Sequence, residues 1–171
     1  MRDPNTIHRA IPRVCLALLA IGCAVVGAKE FAQAPTFDTS LLPAAAETVD
    51  GNPYRGHSSQ AQVAQVGRSI YNQSCARCHG VDGTQLGPAP VLRQVGRFCL
   101  RVSDPAWRQR CQADADHYFI HSVEEGKVRV GVEHMPSWKS VLTPEAIWAV
   151  RTFLEMPPPL DAAKGIQPLQ P

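Results

Sequence analysis

A small all-α domain is predicted over residues 57–156, and three observations predict it. Val63, Val66 and Ile70 recur at helical spacing just before Cys75-Ala76-Arg77-Cys78-His79. Thr143-Pro144-Glu145 has the form of a helix start, and Ile147, Val150 and Leu154 then fall on one face. No βαβ alternation lies between them, and residues 29–56 and 157–171 are punctuated by Pro, Gly or short polar residues that do not extend the pattern.

Residues 1–28 have the pattern of a secretory signal peptide. Arg2, Arg9 and Arg13 form a basic start, Val14 to Val26 is an unbroken apolar run, and Val26-Gly27-Ala28 offers small residues for cleavage before Lys29. The run falls short of the roughly 20 apolar residues of a comfortable spanning helix. Export without an anchor is therefore expected, with retention of the segment or lipidation at Cys23 as the alternative. The 171-residue chain carries a formal charge of +2, and removing Arg2, Arg9, Arg13 and Asp3 leaves basic and acidic residues equal in number. A near-neutral chain has no strongly basic face, which excludes nucleic acid as an expected partner.

Residues 29–56 are expected to form a flexible or wrapping arm. The first helix then begins near Ser58 or Ser59, either of which suits the N-cap, and turns Val63, Val66, Ile70 and Tyr71 toward the core. Gly67 allows it to cross the last helix closely, with Tyr71 and Trp148 near the contact. A further helix is expected over Asp114–Glu125, with Tyr118, Ile120 and Val123 as its buried positions. In the last helix Thr143 is the N-cap, and Glu145 sits at the positive end of the helix dipole. Trp148 and Phe153 flank its apolar face. Pro157-Pro158-Pro159 cannot continue that helix, so residues 157–171 form a Pro-rich tail. A domain of about 100 residues is thin for a hydrophobic core of its own, and a bound apolar body is expected at its centre.

Cys75-Ala76-Arg77-Cys78-His79 identifies that body. Two cysteines separated by two residues and followed at once by histidine form an attachment site for c-type haem. Each thiol adds to one of the two vinyl groups on a haem edge. The next residue then lies under the iron, where the His79 imidazole supplies the proximal ligand. A thioredoxin-like pair would want a βαβ context, and a zinc site would want two more ligands at similarly short spacing. Cys99 and Cys111 begin no second CxxC, and one motif means one haem.

The sixth ligand is expected to be Met135. It lies in Met135-Pro136-Ser137-Trp138, just ahead of the capped last helix, and a Met/His pair raises the potential. His134, His117, His121 and His57 are alternative imidazoles, and an open position is the third possibility. Gly87-Pro88 is a turn in which a carbonyl near Pro88 is expected to accept the second ring N–H of His79; an ordinary surface turn is the plain alternative. Gly80 and Asp82-Gly83 have the chemistry to fold this loop over the haem edge.

With Cys15 and Cys23 leaving in the signal segment, and Cys75 and Cys78 consumed by haem, Cys99 and Cys111 remain as an even pair. A disulfide is expected in an oxidising compartment. It would close a ring of 13 residues, for which the loop-entropy model gives about 3 kcal/mol. Two buried free thiols are the alternative. Arg93, Arg97, Arg101, Arg108 and Arg110 cluster around the pair, either as solvated surface or as a face that steers docking or pairs with haem propionates.

In order, Cys75-Ala76-Arg77-Cys78-His79-Gly80, Asp82-Gly83, Gly87-Pro88, Met135-Pro136 and the helix EAIWAVRTFLE resemble the class I mono-haem cytochromes c over residues 59–156. The resemblance implies a small all-α class I cytochrome c fold wrapping one covalent haem. It also implies one-electron transfer with no bond chemistry on a substrate, so not an enzyme. Within that class, the insert bearing Cys99 and Cys111, the Tyr118 helix and the long run to Met135 resemble periplasmic cytochromes that accept electrons from pyrroloquinoline-quinone alcohol dehydrogenases. A periplasmic carrier is implied, its donor a quinoprotein dehydrogenase or quinol-oxidising complex and its acceptor a terminal oxidase or another cytochrome. The alternatives are a haem subunit of a membrane-associated dehydrogenase or oxidase complex, and a haem enzyme or gas sensor with a displaceable sixth ligand. The linker from Gly126 to Met135 is longer than in many class I members.

Overall fold

Two helices at opposite ends of the domain cross at its centre. In the computed structural model, which describes residues 33–45, 51–84 and 87–158, these are α1 (Gln60–Ser74) and α4 (Pro144–Glu155). Between them come the single turn α2 (Ala76–His79), the long α3 (Pro105–Glu125), and an antiparallel hairpin of β1 (Lys127–Arg129) and β2 (Val132–Met135). Short 3-10 turns at Val81–Gly83, Leu92–Gln94 and Arg97–Arg101 carry the chain from α2 to α3. The fold is all-α apart from that hairpin. Residues 1–28, expected as a signal segment, and the tail beyond Pro158 lie outside the described residues, and among those described no helix is long and apolar enough to cross a membrane.

The crossing depends on Gly67. A Cβ there would sit 1.9 Å from the Ala149 carbonyl oxygen, so any side chain would force the backbones apart. Val63, Ile70 and Tyr71 are fully buried around it, and burial of each such side chain stabilises by about 1.5–3 kcal/mol. Tyr71 meets Phe153, their ring centres 5.5 Å apart. Trp148 packs instead in a smaller cluster with Tyr54, Val63 and Ala149. α4 starts as expected, with Pro144 in its first turn and the Thr143 hydroxyl accepting from the Ala146 N–H. Ser59 stands at the N-cap of α1, but its hydroxyl bonds His57 Nδ1 at 2.7 Å rather than capping the helix.

One expectation needs correction. α3 begins at Pro105 behind an Asp104 cap that accepts from the Trp107 N–H, nine residues before the predicted start. Its buried face is Ala115, Asp116, Phe119, Ser122 and Val123. Tyr118, expected inside, is 61% exposed and lies under the Lys127 ammonium. The two polar residues on the true inner face hide its periodicity. Asp116 is wholly buried because Arg151 and Arg55 each bond one of its oxygens at 2.7 Å.

The arm is expected to be flexible or wrapping, and residues 51–55 wrap. Residues 51–55 are part of the domain: Tyr54 is 2% exposed and donates to the Pro43 carbonyl. Asn52 bonds both Asp116 and Thr152, and Arg55 pairs with Asp116 and Glu155. This segment supplies counter-charge and hydrogen bonds to groups that α3 and α4 bury, so it wraps rather than swings. The run from Gly126 to Met135, long for a class I member, forms a hairpin. Val128, Val130 and Val132 alternate in it with polar or small residues, a period of two that the sequence carried openly.

Candidate functional site

Cys75, Cys78 and His79 share one helical turn, because the chain leaves α1 at Cys75 and rewinds at once into α2. The Cys78 and His79 amides both donate to the Cys75 carbonyl, at 3.1 and 2.9 Å. Both thiols are free, Cys75 half-buried and Cys78 exposed. Burial, and then the neighbouring Cys78, push the Cys75 thiol up to about 12. A thiol so firmly protonated is a poor redox nucleophile, which weighs against the thioredoxin-like alternative. Among the described residues no group of three His, Cys, Asp or Glu side chains could hold a metal ion.

The backbone around His79 is pinned from three directions. The Tyr71 hydroxyl lies 3.2 Å from the His79 carbonyl and 3.0 Å from that of Gly80. The Ala89 amide donates to the Cys78 carbonyl at 3.0 Å. Gly87 makes that approach possible, since a Cβ there would lie 2.2 Å from the Cys78 oxygen. The imidazole Nδ1 lies 2.7 Å from the Pro90 carbonyl oxygen. The loop thus reaches His79 with a carbonyl, two residues beyond the exposed Pro88. Nδ1 is committed there, which leaves Nε2 to face a ligand.

Asp82 fastens the start of the loop. It lies in the left-handed region at φ 54°, between Gly80 and Gly83, whose φ values are also positive. Arg68 grips its carboxylate at 2.8 and 2.7 Å, and Asn72 both donates to it and accepts from its amide. The Arg68 contact first, with Asn72 adding to it, holds the carboxyl below its ordinary pKa despite burial. Arg93 fastens the other end. Its guanidinium donates to the Asp82 carbonyl at 2.7 Å and the Met156 carbonyl at 2.6 Å, and lies 4.5 Å from the Phe153 ring centre. Burial lowers its pKa. This residue belongs to the arginine cluster expected as solvated surface or as a docking or propionate-pairing face, and it caps the end of α4. Arg97, Arg101 and Arg110 are exposed, and Arg110 lies over the Trp107 ring.

Met135 ends β2 half-buried, packed against the same core cluster as Cys75, Ala76 and Leu92. The alternative imidazoles of His57, His117, His121 and His134 are all exposed. The methionine segment rests on the end of α3: the Trp138 amide donates to the Val123 carbonyl at 3.0 Å, and the Ser137 hydroxyl donates to that of Glu124. Cys99 and Cys111 are joined in a disulfide with Cα atoms 5.5 Å apart, which ties the 97–101 turn to α3.

The residues present fit a covalent haem. Two unpaired thiols and an imidazole with one nitrogen already spent stand in one turn, beside half-buried apolar groups that need a cover. Reasoning from sequence missed Asp116, Arg151, Arg93 and Asn52. The only signal was charge in the wrong place, such as Arg151 between Val150 and Phe153 on an apolar helix.

A family model described as cytochrome c oxidase, cbb3-type, subunit III matches residues 62–154. A curated protein, cytochrome c550 of Pseudomonas aeruginosa, is 35% identical over 116 residues, covering 67% of this chain and 70% of that protein. No solved structure matches the chain.

Proposed function

The chain belongs to the cytochrome c family, and from that premise we propose that it is an exported one-electron carrier with His79 and Met135 as axial ligands. Family membership carries with it a covalent c-type haem and electron transfer rather than catalysis. When bound, the haem supplies the Fe(III)/Fe(II) couple that takes up and releases one electron.

The chain's own residues have separate tasks in this reading. Cys75 and Cys78 hold the porphyrin edge. His79 offers Nε2, and the Pro90 carbonyl on Nδ1 fixes its tautomer and the orientation of the ring. Met135 offers a neutral, soft sulfur that favours the reduced state. With both axial positions filled, small molecules are kept off the iron, which separates this reading from a haem enzyme or gas sensor. The observation that carries the proposal is the 2.7 Å contact between His79 and Pro90, in the turn that presents two free thiols.

Export to the periplasm is supported by the pattern of residues 1–28 and by the Cys99–Cys111 disulfide, which belongs to an oxidising compartment. Donors are a quinoprotein alcohol dehydrogenase or a quinol-oxidising complex; acceptors are a terminal oxidase or a second cytochrome. Docking would be small and transient. A second reading, a tethered subunit of an oxidase complex, takes its support from the wording of the matching family model.

A redox titration of purified holoprotein tests the central reading. One reversible one-electron wave, with slow carbon monoxide binding to the reduced form, is expected. Rapid carbon monoxide binding without denaturant would overturn the carrier in favour of a ligand-binding haem. N-terminal sequencing of the exported protein separates a free carrier, beginning near Lys29, from a tethered subunit that keeps its apolar segment.

A further inference from the structure

We infer that Gly126 is a positioning residue for the sixth iron ligand, and that the C-terminal end of α3 is the seat on which the methionine segment is set. The inference rests on Met135 being that ligand. It names what places the sulfur, which neither the family nor the motif specifies.

α3 ends at Gly126, which has φ 69° and ψ −163°, a conformation that L side chains rarely adopt. Its φ alone would explain a glycine there. The stronger constraint is space. A Cβ on Gly126 would lie 2.4 Å from the Met135 carbonyl oxygen and 2.8 Å from both the Pro136 carbonyl carbon and the Ser137 nitrogen. All three are backbone atoms of the ligand segment, so no side-chain rotation can relieve the clash. The segment would have to lift away from the helix.

Three further contacts show that the closeness is a docked arrangement. The Gly126 amide closes α3 on the Ser122 carbonyl at 3.1 Å. The carbonyls of Val123 and Glu124, which the helix end leaves without an intrahelical partner, are taken by Trp138 and Ser137 respectively. Trp138, 4% exposed, anchors the far end of the segment in the core. At the near end Lys127 pairs with Met135 across the hairpin, next to a register irregularity between Lys127 and Val128. The last turn of α3 thus holds Met135-Pro136-Ser137-Trp138 along its whole length, and Gly126 is the point of closest approach. Since Phe119 and Val123 fix α3 in the core, the position of Met135 is set from an element that is itself anchored there.

The test is the optical spectrum of ferric holoprotein carrying Gly126→Ala, beside Met135→Ala and the wild type. Gly126→Ala is expected to keep its covalent haem and its far-UV helix signal, yet to lose most of the weak red band of methionine-ligated ferric haem and to bind carbon monoxide rapidly once reduced. If that variant fails to mature, Ser137→Ala replaces it. Loss of one hydrogen bond should let imidazole displace the methionine at about fivefold lower concentration. A folded Gly126→Ala protein with an undiminished red band, or Ser137→Ala with unchanged imidazole affinity, overturns the inference. If Met135→Ala itself leaves the red band intact, the ligand assignment has failed, and the inference falls with it for that separate reason.

Discussion

Around His79, the carbonyls of Cys78, His79 and Gly80 accept from the Ala89 amide or the Tyr71 hydroxyl, the ring nitrogen Nδ1 lies against the Pro90 carbonyl, and both ends of the loop are clamped by arginines. Around Met135, the chain comes off a hairpin whose Val128, Val130 and Val132 are 65%, 103% and 57% exposed. There it is held through the last turn of α3. Each side uses a glycine for close backbone approach, Gly87 against Cys78 and Gly126 against Met135. The histidine side adds arginine clamps, from Arg68 on α1 and from Arg93 to the end of α4, where the methionine side has the Ser137 hydroxyl on the Glu124 carbonyl. The side that bears the two thiols is therefore built into the two-helix core, and the methionine side is seated on one helix end. Local stability should differ accordingly.

The largest effect is expected from Gly87→Ala, which puts a methyl group 2.2 Å from the Cys78 oxygen. Overpacking against backbone should destabilise by about 3 kcal/mol and lower the yield of holoprotein, measured by denaturant unfolding and by haem staining. An unchanged midpoint would break the claim that this loop is tightly docked.

Asp82→Asn comes next. It removes a charged partner from Arg68 and should cost about 2 kcal/mol at neutral pH. Its pH dependence sharpens the comparison. Because the folded-state pKa of Asp82 is depressed, its contribution is fully present above the ordinary aspartate value of about 3.9 and is lost as pH falls through the lower folded value. The wild type should lose stability more steeply than Asp82→Asn in that acid window. Parallel curves would remove Asp82 from the account.

Val130→Asn should act in the opposite direction, on the methionine side. Val130 and Gly131 form the two-residue hairpin turn with φ 51° and 75°, where valine is a poor choice and asparagine a good one. A gain of about 1 kcal/mol is expected, seen as slower hydrogen exchange in the hairpin amides. Smallest of all, Lys139→Ala should change stability by less than about 0.5 kcal/mol. Its 3.5 Å contact with Glu125 is an exposed pair.

How much of this was legible depended on whether chemistry or context decides each residue. The placing of Cys75, Cys78 and His79 in one turn could be read because their short spacing is local. Thr143-Pro144-Glu145 could be read because helix caps are local, and Gly67 because close crossing has one local remedy. The carbonyl on His79 was legible only to within two residues, since the backbone path through Gly87-Pro88 decides whether Pro88 or Pro90 arrives. The inner face of α3 was not legible. Asp116 is tolerable there only because Arg151, 35 residues on, and Arg55, 61 residues before, both meet it. Gly126 looked like an ordinary helix terminator, because nothing local reveals that the Met135 carbonyl lies against it.

The most direct test of the unequal anchoring follows the ferric holoprotein through a guanidinium titration, recording the red methionine band and the far-UV helix signal together. The account predicts that the red band disappears at a clearly lower denaturant concentration than the helix signal, while haem stays covalently attached throughout. Coincident loss of the two signals, or a native spectrum with no red band, would contradict it.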